Sequence, residues 1–241
     1  MPSKNVRYRK QAEMVKDLET VPLSDALGKV KEMAAVKSDR SYKNGRKRKD
    51  HPQTVELVMN LGIDPKQADQ MLRGSIALPK GIGKTNRVIA FCDGDLVDQA
   101  KAAGATEAGA DELVDKVSKG WLDFDVAIAH PSMMGKVGKL GRVLGPQGKM
   151  PTPKAGTVTP DIETAIKEYA AGKLEFRNDA GGNIHMPVGK TDFPVEDLVE
   201  NVEAALAHMT KLKPSAAKGT YMKKVVVSAT RTPGVEVTVG N

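Results

Sequence analysis

With a single cysteine, Cys92, the 241-residue chain has no means of building an internal disulfide framework, which fits a reducing compartment. A zinc site is equally hard to assemble. The four histidines (His51, His130, His185, His208) and that one cysteine are too widely spaced for ligand pairs, so no metal is expected. Aromatic residues make up only 4% of the chain, which argues against recognition by stacking bases on exposed rings. No apolar run approaches the ~20 residues of a membrane span. The opening MPSKNVRYRK has no apolar core of a signal peptide. These absences predict a soluble, cytoplasmic protein with no membrane partner.

What is present is an ordinary globular composition, 40% apolar and 28% charged, carrying a net charge of +7. That charge is unevenly spread. Residues 1–50 hold 14 cations against 7 acids, residues 51–130 hold 8 against 12, residues 131–160 hold 5 against none, and residues 161–241 hold 10 against 11. Two segments thus carry the whole excess, a pattern expected of a polyanion partner, with solvated surface as the other reading. The second segment contains KLGRVLGPQGKMPTPKAGTV at 139–158, with four glycines, three prolines and four cations but no carboxylate. Lys139, Arg142, Lys149 and Lys154 are spread along stiff turns, a spacing suited to a phosphate backbone wider than one cofactor. The first segment contains the cluster Arg46, Lys47, Arg48 and Lys49 in a polar loop.

The pattern along the chain predicts two helices, KQAEMVKDL and SDALGKVKEMAAV, and then the alternating strand TVELVMNLG with Val55, Leu57 and Met59 on its inner face. A second strand is predicted at GSIALP. From Asn86 apolar strands (RVIAFC, FDVAIA) alternate with helices (DLVDQAKAAG, ADELVDKVSKG, a helix-like PSMMGKVGKLGRVL, and TPDIETAIKEYAAG capped by Thr159). This is the rhythm of a parallel α/β layer. After it KLEFRND and NIHMPVGK flank a hairpin signal, PVEDLVENVEAALAHMTKL is an amphipathic helix, and KKVVVSAT pairs with VEVTV. The expected fold is α/β and α+β. A discontinuous α+β domain with an antiparallel sheet (1–80 and 172–241) is interrupted by an inserted Rossmann-like α/β domain (81–171), and the chain crossings can act as a hinge.

Phosphate-cofactor chemistry finds little support. A P-loop needs a glycine five positions before Gly83 or Gly148, and Leu78 and Val143 stand there. The helix after RVIAFC opens on Asp93 and Asp95, acids that repel a pyrophosphate. His130 ends an apolar strand beside Ser132, where a turn role is commoner than catalysis. Asp93/Asp95 and Asp123/Asp125 read as helix caps or strand flanks. No cofactor and no enzyme activity are expected.

Four blocks carry a resemblance: NLGIDPKQADQMLRGSIALPKGIGKTNRVIAF, MMGKVGKLGRVLGPQGKMPTPKAGTVT, LEFRNDAGGNIHMPVGKTDF and KPSAAKGTYMKKVVVS. In this order they resemble the bacterial large-subunit ribosomal protein one family, the protein of the ribosomal L-one stalk. The resemblance implies the same two-domain fold. It further implies a cytoplasmic, ribosome-associated protein that binds large-subunit rRNA to form a mobile stalk on the large ribosomal subunit, helps deacylated tRNA leave the exit site, and represses translation from its own mRNA leader. Carried over by motif, the RNA contacts are Thr54 and Glu56 in TVELVMN, Asp179 in FRND, Lys224 in KKVVV and Thr230 after VSA. Arg231 and Thr232 stand where the family has Met-Gly; the arginine is expected to add a phosphate contact, whereas threonine cannot replace glycine where backbone must approach RNA closely. Polar faces of adjacent strands suit the wide, shallow minor groove of RNA with its 2′-hydroxyls. The segment KSDRSYKNGRKRKD is longer and more basic than the family's connection, and His51 sits where an aromatic is common.

Overall fold

The computed structural model describes residues 6–16, 18–36, 51–67 and 69–238. In chain order the elements are α1 (Val6–Glu13), α2 (Leu23–Ala35), β1 (Thr54–Leu61), β2 (Arg73–Ile76), β3 (Val88–Phe91), α3 (Leu96–Ala102), β4 (Glu107–Gly109), α4 (Asp111–Ser118), β5 (Val126–Ala129), α5 (Met134–Val137), α6 (Gly141–Leu144), α7 (Ile162–Ala170), β6 (Leu174–Arg177), β7 (Asn183–Lys190), α8 (Val195–Lys211), β8 (Met222–Ala229) and β9 (Val235–Val237). Two compact units emerge. The first takes the described residues of Met1–Leu72, Leu78–Ile82 and Arg177–Asn241, the second Arg73–Ala77 and Gly83–Phe176.

The first unit is built on a four-stranded sheet in the order β7-β1-β8-β9. All three pairings are antiparallel. Strict alternation in β1 sends Val55, Leu57 and Met59 inward, each fully buried. Ile184, Met186 and Val188 of β7 and Val225 and Val227 of β8 point the same way. α2 and α8 cover this inner face, α2 contributing Leu27, Val30 and Met33 and α8 contributing Leu198, Val202, Ala205 and Met209. Burying each large apolar side chain contributes about 1.5–3 kcal/mol. The period-2 spacing of the strands therefore turns Thr54, Glu56 and Asn60, with Val58 among them, to the outer face.

The second unit holds a parallel three-stranded sheet, β4-β3-β5, covered on both faces. Ile89 and Phe91 of β3 pack with α4 and the turns of 131–144, whereas Val88, Ala90 and Cys92 pack with α3 and α7. This is the mixed α/β and α+β architecture expected from the alternation of elements.

Local expectations are corrected at several places. KLEFRND does not form a hairpin with NIHMPVGK: β6 pairs with β2, and only the bridge Asn178–Ile184 joins its end to β7. Gly74 explains the change. A Cβ there would come within 2.9 Å of the Phe176 ring, so the bare backbone of β2 is the seat for the aromatic of β6. Arg73 and Glu175 close the same pair at 2.6 Å. Between α3 and α4 lies an edge strand, β4, that the sequence pattern does not predict. The stretch PSMMGKVGKLGRVL is not one helix but a run of α and 3-10 turns. Its apolar residues Met133, Val137, Leu140 and Leu144 still keep helical spacing and are buried. Glycines 135, 138 and 141 lower helix propensity enough to break it up. Finally, α7 is capped by Asp161, whose carboxylate accepts from Thr164 N at 3.2 Å, and Thr159 instead accepts from Asp161 N.

Candidate nucleic-acid interface

The outer face of β7-β1-β8-β9 gathers four of the residues carried over by motif. Register sets them in rows. Lys190, Thr54 and Thr230 lie at one end, where Thr230 N donates to Thr54 O at 3.0 Å. Pro187, Glu56 and Ser228 form the next row, and His185, Val58 and Val226 the third. Asn183, Asn60 and Lys224 form the fourth. Glu56, Lys224 and Thr230 are exposed and Thr54 is half-exposed. Lys224 forms an ion pair with Glu236 of β9. A field of hydroxyls, amides and a few charges around the apolar Pro187, Val58 and Val226, with no large aromatic, matches hydrogen bonding to sugars and phosphates better than base stacking.

Asp179 occupies the turn that leads into β7, at the edge of this field. Its Oδ1 accepts from Gly181 N at 2.8 Å and Asn183 N at 2.7 Å, and its Oδ2 from Asn183 Nδ2 at 3.0 Å. The carboxylate thus holds the turn and is already engaged before any ligand arrives. Asn183 Oδ1 in turn accepts from Asn60 Nδ2 at 2.7 Å.

Arg231 is exposed in the β8–β9 turn and adopts φ 67°, a left-handed conformation that costs a non-glycine residue ~1–2 kcal/mol. Thr232 holds the turn closed, its Oγ1 accepting from Ala229 N at 2.8 Å. The Arg-Thr pair thus forms a tight turn that places a cation next to Thr230.

The basic stretch of the second unit divides by role. Lys139, Arg142 and Lys154 are exposed. Lys149 is committed internally: its Nζ donates to Leu122 O at 3.0 Å and Phe124 O at 2.7 Å and lies 4.9 Å from the centre of the Phe124 ring. A cleft of about 280 Å³ in this unit is lined by Lys84, Lys149 and Lys173 among others. Lys84 pairs with Asp125 at 2.8 Å and Lys173 with Glu168 at 2.6 Å, so its cations are already neutralised or bound. His130 Nδ1 lies 2.6 Å from Ser132 Oγ and caps the turn that starts at Pro131, the structural role expected of it. Arg46, Lys47, Arg48 and Lys49 lie outside the described residues.

Residues 30–233 match the model of the Ribosomal protein L1p/L10e family. The chain belongs to that family. It is 44% identical to the large ribosomal subunit protein uL1 of Kosmotoga olearia over 98% of this chain and 97% of the relative. It is 53% identical to the uL1 of a Nocardioides species over 79% of each chain, and 56% identical to that of Streptomyces avermitilis over 76% of each. A member of this family is a structural ribosomal protein, not an enzyme.

As an L1-family protein the chain carries one cationic surface that the segment-by-segment charge balance hid. Between Glu203 and Glu236 lie six cations and no acid: Lys211, Lys213, Lys218, Lys223, Lys224 and Arg231. The acids of α8 (Glu196, Asp197, Glu200, Glu203) cancel them in a sum over 161–241. Lys211, Lys213, Lys218 and Lys223 are all exposed, and among the described residues none has an ion-pair partner. Lys213 Nζ lies 5.9 Å from the ring centre of Tyr221, whose carbonyl accepts from Gly62 N at 2.7 Å at the end of β1. Lys213 therefore lies beside the Asn183–Asn60–Lys224 row, whereas Arg231 stands at the opposite end, next to Thr230.

The Asp179 turn has a measurable signature. Hydrogen bonds from Asn183, first its side chain and then its backbone N–H, hold the carboxyl at about 2, below its ordinary 3.8. A depressed folded-state value contributes stability that is present above the unfolded value, near 4, and is lost as pH falls through 2. Asp179→Asn should therefore melt below the wild type at pH 7, with the gap closing between about pH 4 and pH 2. Thermal melts by circular dichroism across that range check this. A gap independent of pH would show that the carboxylate's charge is not what holds the turn.

Proposed function

We propose that the outer sheet face is the surface by which this ribosomal protein holds large-subunit rRNA, building a mobile stalk near the tRNA exit site. The observation that carries it is the pairing of a half-exposed polar sheet face, centred on Thr54, Glu56, Asn60 and Thr230, with the acid-free cationic run beside it. The face supplies hydrogen bonds to sugars, and the run supplies phosphate neutralisation. Both chain ends contribute, so a discontinuous rRNA-binding domain carries an inserted Rossmann-like domain. The exposed Lys139, Arg142 and Lys154 of the latter offer a second, weaker polyanion surface, suited to the deacylated tRNA whose release the stalk assists. A structured leader of the protein's own mRNA that copies the rRNA fold would occupy the same face and repress translation.

The test is a filter-binding titration of the full chain against an rRNA stalk fragment, at two salt concentrations, beside a nucleotide-binding assay. Tight, salt-sensitive binding that the mRNA leader competes away, with no nucleotide signal, is the expected result. Nucleotide binding with indifference to structured rRNA would overturn the reading. In the same assay, neutralising Arg46, Lys47, Arg48 and Lys49 should flatten the salt dependence and leave sequence preference unchanged.

A further inference from the structure

We propose that Asn60 reads a hydrogen-bond donor of the bound RNA, and that the orientation of its amide is imposed from Asp179 through Asn183. The inference rests on the outer sheet face being the RNA surface and goes one step further, to which atom is presented there.

The orientation follows from donor and acceptor chemistry alone. An ionised carboxylate only accepts, so the group of Asn183 that faces Asp179 must be its NH2, at 3.0 Å from Oδ2. Turning that amide over would set its oxygen against the carboxylate. Asn183 Oδ1 is thereby directed to β1, and only an NH2 can meet it, so Asn60 offers Nδ2 at 2.7 Å. The remaining polar atom of Asn60, Oδ1, is left turned away from β7. Asn60 is half-exposed on the outer face, opposite Lys224 of β8, and no hydrogen bond within the described residues occupies its Oδ1.

A free asparagine amide can present either end to a ligand, whereas this one presents an acceptor. Its position between the Asp179 turn and the lysine of β8 gives the face a fixed sequence across the strands: anion, amide, amide oxygen, cation. The complementary RNA group is a donor in a shallow groove. A ribose 2′-hydroxyl and the exocyclic amino group of guanine both qualify. Asn183 is a positioning residue in this scheme, since it acts on RNA only through Asn60.

The experiment uses the full chain and the rRNA stalk fragment, as unmodified RNA, as a set with single 2′-deoxy substitutions, and as a set with single guanine-to-inosine substitutions. Asn60→Ala should weaken binding about tenfold, the size of one hydrogen bond to RNA. Asn183→Ala should weaken it two- to fivefold, about half of that on a logarithmic scale. The double variant should bind no more weakly than Asn60→Ala, which a merely structural role of Asn183 would not produce. One modified RNA should lose affinity for the wild type yet bind Asn60→Ala no more weakly than the unmodified RNA does. Its membership in the deoxy or the inosine set identifies the donor. Asn60→Ser, with melting curves for every variant, controls for folding. Binding of Asn60→Ala within twofold of wild type, or every modification keeping its penalty in that variant, overturns the proposal. If the wild type binds and Lys223→Gln weakens it while Asn60→Ala does not, only the role of Asn60 falls. If the wild type ignores the fragment, the RNA face itself is wrong.

Discussion

Replacing Lys213, Lys218 and Lys223 together with glutamine should lower affinity for the rRNA stalk fragment by two to three orders of magnitude at about 0.15 M salt. Each exposed lysine that neutralises a phosphate releases condensed counterions, and each steepens the fall of log K with log salt by about 0.7–0.9. Three such contacts should therefore flatten the slope by roughly 2–3 units. The loss should be nearly uniform across RNA sequences, because phosphates carry no base information. Lys224 is left out of the set on purpose. Its ion pair with Glu236 means that removing it would also expose an unpaired acid to the RNA and confuse two effects. Stability should move by no more than about 0.5 kcal/mol, since all three are solvent-exposed side chains. Titrations at four or more salt concentrations decide the matter. An unchanged slope would place the RNA elsewhere on the protein, whatever the change in affinity.

That cationic run shows why part of the interface was hard to read in the sequence. Charge becomes informative only when averaged over the right window, and the window is set by the fold. α8 carries its acids on the helix and the lysines follow its end, so a sum across both is near zero while the surface is strongly polarised. The opposite error occurs at Lys149, a cation that reads as free in KLGRVLGPQGKMPTP. Its partners are backbone carbonyls at 122 and 124, about 25 residues away, and no local pattern marks a carbonyl as available. Asp179 is a third kind of case. The residue can be picked out by its motif, but its engagement by the turn cannot, because that depends on Asn183 folding back onto it.

Elements whose period is enforced by one buried face were legible. β1 alternates because its inward residues Val55, Leu57 and Met59 are all fully buried, and the β3 and β5 runs are apolar throughout because both faces of their sheet are covered. What escaped were choices between equally good local partners. β6 has strand character on either side of the turn at 179–182, and which neighbour it takes is decided by Phe176 finding the bare backbone of Gly74, a contact about 100 residues long in sequence. A three-residue edge strand such as β4 has too few residues for any period to show.

Asn201 makes the same point with a larger expected effect. Nothing in the amphipathic pattern of PVEDLVENVEAALAHMTKL singles out Asn201. In the fold Asn201 is fully buried. Its Oδ1 accepts from Lys80 N at 3.0 Å, and its Nδ2 donates to Gly81 O at 3.0 Å and Val188 O at 2.8 Å. One amide thus ties the segment Leu78–Ile82 and β7 to the helix, satisfying a backbone N–H and two carbonyls where water has little access. The exposed pairs of Lys80 with Asp197 and Glu200, at 3.6 and 3.2 Å, add little to this, since surface ion pairs contribute about 0–1 kcal/mol. Asn201→Leu keeps the volume but strands three backbone groups, each at a cost of about 1–3 kcal/mol, so the expected loss is on the order of 3–5 kcal/mol. Asn201→Asp should be no better, because it keeps an acceptor for Lys80 N–H while turning a buried charge toward two carbonyls. Urea unfolding of both variants at pH 7 gives the comparison. A loss below about 1 kcal/mol for leucine would mean that the segment 78–82 finds other partners and that the amide is not its anchor. RNA affinity of the folded fraction should stay at the wild-type level, which would separate a residue that holds the proposed surface in place from the lysines proposed to meet the ligand.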